Sequence, residues 1–178
     1  MGFEPISFRF VKYFHTETKK ELSAEEARRT NQTFIFNMYI DPLVDKIHPD
    51  SKKLLGFVPI DEPLLAEVFD SKKRLLVEGF GSKIIIPRPA VLLAMKLNSV
   101  SSRDKEHKRI KDIIDIYGLL WYSDEKFETV KKKLLSVVKQ EKVSSVVSSI
   151  REEELVTVAR NLGVEKSEVS AVMAELRR

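Results

Sequence analysis

From residue 89 to the end of the chain no strand signal survives, whereas alternating or β-prone runs occur at 6–14, 33–41 and on both sides of Gly79 and Gly81. Strands gathered ahead of helices dictate an α+β chain rather than an alternating α/β one. We expect a small mixed or antiparallel sheet with helices, followed by an all-helical C-terminal half. The expected divisions are 1–87 as the α+β part, 88–150 as a helical part and 151–178 as a helical hairpin appendage.

The clearest strand is TFIFNMYID at 33–41, where Phe34, Phe36, Met38 and Ile40 share one face and Asn37, Tyr39 and Asp41 the other. Pro42 ends it, because proline cannot donate to a ladder. Residues 23–30 form a short helix with a capping box of Ser23 and Glu26. A second short helix is expected at 62–69 with Pro63 near its first turn. The run at 74–89 reads as a hairpin whose turn uses Gly79 and Gly81 at positive φ. Helices are expected near 89–100, 104–121, 124–139, 142–150, 152–162 and 166–177.

Composition removes several function classes. Hydrophobic residues make up 43% of the chain and charged residues 33%, so a core can form beneath a solvated surface. Cysteine is absent, which excludes disulfides and thiolate metal sites. No apolar run approaches the roughly 18 residues of a membrane span. The opening MGFEPISFRF lacks the basic and apolar regions of a secretory signal, so a cytoplasmic protein is expected. The net charge of +4 permits a nucleotide or nucleic-acid partner without demanding one.

The chemistry concentrates at 87–120. The first helix there is apolar except for Lys96, among Leu92, Leu93, Leu97 and Val100. A lysine in such surroundings is costly unless it meets an anion. The next helix offers Asp112 and Asp115, three residues apart and therefore on nearly the same side. Its inward face is expected to be Ile110, Ile113, Ile114, Tyr117, Leu120 and Trp121. Arg103, Lys105, Lys108, Arg109 and Lys111 lie between, a basic cluster able to hold a triphosphate. Spacing alone favours ordinary ion pairs. Lys108 with Asp112 and Lys111 with Asp115 are four residues apart, and Lys96 could pair with Asp112 across helices.

PAVLLAMKL at 89–97, then Arg103-Asp104, then KDIIDIYGLL at 111–120, resembles the AbiEii-type nucleotidyltransferases, toxin or defence relatives within the DNA polymerase beta-like superfamily. The likeness spans about residues 2–121. It implies binding of an NTP and transfer of a nucleotidyl group, with Mg²⁺, to an RNA or protein acceptor. Lys96 would neutralise triphosphate charge with Arg103 beside it. Asp112 and Asp115 would orient Lys96 or the acceptor. Asp41, in the strand ending IDPLV, would be the metal or base carboxylate. The family begins its site with Gly-Ser followed by D-x-D. Here Gly81-Ser82 has no D-x-D after it, and none occurs elsewhere. GFEP at the start resembles sequence beyond that motif, so a truncated or degenerate relative with little transfer activity is expected.

The competing reading is a non-catalytic, antitoxin-like module that contacts DNA or a partner protein through TVARNLGVEKSEVSAVM at 157–173, which has helix–turn–helix spacing. Residues 151–178 hold five Lys or Arg against six Glu, which favours plain helix packing over reading DNA. His15, His48 and His107 share no ligand spacing, so no zinc site is expected. Ser82 lacks triad partners. The lysines at 131–133 read as a solvated face, and Trp121 and Tyr122 as the end of an apolar face.

Overall fold

The computed structural model describes residues 2–69, 74–79 and 81–178. It divides into two compact units, 1–66 and 67–178. The fold class is α+β, with helices filling the C-terminal half.

In the first unit the expected strand 6–14 is two strands, β1 (Glu4–Ile6) and β2 (Arg9–His15), paired antiparallel with Ile6 opposite Arg9. Ser7 takes φ 57° in the tight turn between them. A serine in the left-handed region carries no sequence signature, so alternation ran on through the turn. Strand β3 (Glu21–Leu22) pairs with β2, and β4 (Ile35–Ile40) lies along the other side of β2, with Phe14 opposite Phe36. Helix α1 (Ala24–Arg29) carries the expected capping box. Glu26 N donates to Ser23 Oγ at 3.2 Å and Ser23 N donates to Glu26 Oε2 at 2.8 Å. Its Ala27 and Val11 of β2 are buried. The opposite sheet face leaves Phe36, Met38 and Ile40 exposed. Sequence reading missed a parallel pair, β5 (Leu43–Val44) with β6 (Ile60–Asp61), and the short helix α2 (Ser51–Leu55). Helix α3 (Leu65–Phe69) is shorter than expected.

The second unit opens on a hairpin, β7 (Arg74–Gly79) and β8 (Ser82–Pro87), with Gly81 at φ 73° in its turn. Gly79 is not at positive φ, because it ends β7 as a paired residue opposite Ser82. These strands pair only with each other among the described strands, so 74–86 does not join the sheet of β2 and β4. Alternation specifies a strand's faces but not its neighbours.

Six helices follow: α4 (Pro89–Ser102), α5 (Glu106–Trp121), α6 (Phe127–Leu134), α7 (Gln140–Ser148), α8 (Glu152–Leu162) and α9 (Lys166–Arg177). Pro89 occupies the first turn of α4, where its missing N–H is harmless. Leu93, Leu97, Ile113, Ile116, Val130, Leu134, Val143, Val158, Val169 and Leu176 form the core. Ile116 belongs to that core. Trp121, expected inside, is 54% exposed because it is the last residue of α5, and Ile114 is half-buried. The lysine run is not a uniformly solvated face. Lys131 Nζ donates to Glu175 O at 2.8 Å, Lys133 pairs with Glu125 at 2.7 Å, and Lys132 alone is exposed. Among the described residues no helix is long and apolar enough to cross a membrane.

Candidate functional site

Helix α4 buries Leu93, Ala94, Leu97 and Val100, which leaves Lys96 half-buried at the margin of the α4–α5 seam. Helix α5 buries Ile113, Ile116 and Tyr117, and this rotation carries Asp112 into the same seam at 2% exposure. Lys96 Nζ lies 3.1 Å from Asp112 Oδ1 and 2.5 Å from Asp115 Oδ2. Arg103, the C-cap of α4, has extended backbone, and its Nε donates to Asp112 Oδ2 at 2.7 Å. Asp112 is thus held on both oxygens, whereas the Asp115 side chain is 34% exposed.

Burial pulls the Lys96 pKa down, but hydrogen bonds and charge from Asp115 and Asp112 outweigh it, and the net shift is upward. The ammonium therefore stays charged at neutral pH. The four-apart pairs Lys108–Asp112 and Lys111–Asp115 do not form, since both aspartates are taken from across the seam. Lys105, Lys108 and Lys111 are exposed beside the cluster.

Arg109 leaves the expected basic cluster altogether. Its Nε donates to Glu154 Oε1 at 2.7 Å, Nη1 to Val100 O at 2.6 Å, and Nη2 to Ser149 O at 2.9 Å. Glu154, fully buried, also accepts from Arg151 N at 2.8 Å as part of the α8 capping box. One Arg–Glu pair thereby satisfies the ends of α4, α7 and α8. Sequence reading missed Glu154. Its third position in a helix was the available signal.

Asp41 follows directly on β4, as expected, in the first unit, while Lys96, Arg103, Asp112 and Asp115 come together in the second. Its two oxygens accept a fork from Arg9, at 3.0 and 3.1 Å. The Arg9 guanidinium lies 4.7 Å from the ring centroids of both Phe8 and Tyr39. Among the described residues no three His, Cys, Asp or Glu gather as a metal group.

At the C-terminal end α8 and α9 are joined by Gly163 at φ 69°, with Ala159, Val169 and Val172 buried, which is helix–turn–helix spacing. Glu165, Lys166, Ser167 and Glu168 lie exposed at the start of α9, a poor match for phosphates. No family model, curated protein or solved structure matches this chain.

Proposed function

We propose that the chain is a nucleotidyltransferase-like, AbiEii-type module whose Lys96 cluster holds the polyphosphate of an NTP. The observation that carries this reading is the unequal partnership of Lys96. Asp112 is buried and fixed by Arg103, while the half-exposed Asp115 side chain meets Lys96 at 2.5 Å from the solvent side of the seam. A phosphate oxygen can displace the Asp115 carboxylate from Lys96 without unsealing the α4–α5 seam. Exposed Lys105, Lys108 and Lys111 add attraction for anions. The sequence likeness supports the same residues.

The donor set does not fit a pair of Mg²⁺ ions. Asp41 is engaged by Arg9, and a two-metal site needs several carboxylates together. No metal-dependent step follows from these residues, and transfer to an RNA or protein acceptor by this chain alone is expected to be weak. Titration with a fluorescent ATP analogue tests the proposal. Wild type should bind, and Lys96→Met should weaken binding about tenfold, the value of one charged contact. Absence of binding, or equal binding by Lys96→Met, would count against it. The antitoxin-like alternative, acting through α8 and α9, is favoured instead if a partner protein binds and every nucleotide fails.

A further inference from the structure

A second surface of the helical unit begins one turn along the same seam, since Leu92 precedes Lys96 by four residues on α4 and Leu119 follows Asp115 by four on α5. A groove of about 460 Å³ runs between the hairpin residues Leu75 and Ile86, Leu92 of α4, and Gly118, Leu119 and Tyr122 at the end of α5. Its walls are mostly apolar, with Ser123, Asp124 and Glu125 at one end, and Tyr122 is 68% exposed at its edge. Leu75 faces Ile86 across the hairpin, and Val77 faces Ile84 two residues on, so the apolar strip continues along one hairpin face. Both Val77 and Ile84 are exposed.

Two independent features point to an occupant. Gly118 lies within α5, where glycine weakens a helix relative to alanine. A methyl group built on it would meet no atom within 4 Å, so no packing among the described residues calls for a glycine there. The residue keeps the groove floor open. The second feature is charge. Glu125 in the lining is offset by Lys133 at 2.7 Å and Arg88 at 3.8 Å. Asp124, exposed at the mouth, has no hydrogen bond or ion pair among the described residues.

We propose that this groove docks an apolar peptide segment of a partner protein, with a lysine or arginine of that segment on Asp124. The exposed apolar strip of Val77 and Ile84 that continues beyond the groove favours a peptide over a small amine, and the uncompensated carboxylate sets the sign of the partner's charge.

The test is an amide-shift NMR titration of the full chain with acetyl-Leu-Phe-Lys-Leu-amide and with the same peptide carrying Glu for Lys. The lysine peptide should shift the amides of Gly118, Leu119, Tyr122 and Asp124. The Glu peptide should bind about fivefold more weakly, the upper range of one exposed ion pair. Asp124→Asn should erase that difference. Gly118→Leu should abolish binding while leaving the melting temperature unchanged or higher. Equal binding of the two peptides, shifts elsewhere only, or binding indifferent to both substitutions would overturn the proposal. So would a Gly118→Leu variant that binds normally. Should that variant fold poorly, Asp124→Asn, at an exposed and unpaired position, decides alone.

Discussion

Asp112 accepts Lys96 Nζ on Oδ1 at 3.1 Å while its Oδ2 is held by Arg103 at 2.7 Å. Lys96 is therefore not the sole support of that buried carboxylate. Removing either end of the pair has unequal consequences.

Asp112→Asn takes the common acceptor, itself 2% exposed, from two cations. It should cost about 3 kcal/mol, the lower range for breaking a buried pair. Lys96→Met leaves Asp112 with Arg103, returns the half-exposed Asp115 to solvent, and should cost about 1.5 kcal/mol, the value of the charged hydrogen bond to Asp112. Chemical denaturation of the two variants and their double mutant gives the coupling. Equal losses would mean that Arg103 contributes nothing.

The pH profile of stability should fall at both ends. Burial raises the Glu154 pKa, but the Arg151 N–H and the guanidinium groups of Arg109 and Arg151 outweigh it, so the native value lies below the ordinary 4.5. Its contribution is complete above 4.5 and lost as pH falls through the lowered native value. The raised pKa of Lys96 works in reverse. Its contribution is complete below the ordinary 10.5 and lost as pH rises through the native value. Thermal melts of Glu154→Gln should show a lower plateau, by about 3 kcal/mol, and a flatter acid limb. An acid limb identical to wild type would remove Glu154 from the explanation.

Gly163 sits at φ 69° between α8 and α9, with nothing within 4 Å of an added methyl group. Gly163→Ala should therefore cost about 1 kcal/mol through backbone strain alone, without a steric clash. A melt unchanged from wild type would show that the turn readjusts. In gel-shift experiments at physiological salt the wild-type chain should not retard duplex DNA, given the acidic start of α9. A sequence-dependent shift lost on changing Lys166 and Ser167 would reverse that assignment.

Features encoded locally were the legible ones. The capping box of Ser23 and Glu26 and the shared side of Asp112 and Asp115 followed from helix spacing, and the helices from 89 onward fell near their expected bounds except α6, which spans Phe127–Leu134 where 124–139 was expected. Features that depend on distant partners were not. Arg109 looked like part of a phosphate-binding cluster because its partner Glu154 lies 45 residues away. Lys131 looked solvated because its acceptor is the carbonyl of Glu175, 44 residues on. The turn at Ser7 was hidden because a serine gave no sign of left-handed backbone. The Arg9 fork on Asp41 was equally invisible, since the two residues meet only once β2 and β4 are paired.

The exchange of Asp115 for phosphate is the central claim, and calorimetric titration of ATP into Asp115→Asn and wild type tests it most directly. Removing the competing carboxylate should tighten ATP binding, by about five- to tenfold, because Lys96 no longer has to leave an anion to meet one. Binding that weakens in Asp115→Asn, or stays the same, would contradict the account and leave Lys96, Asp112 and Asp115 as an ion-paired seam between α4 and α5.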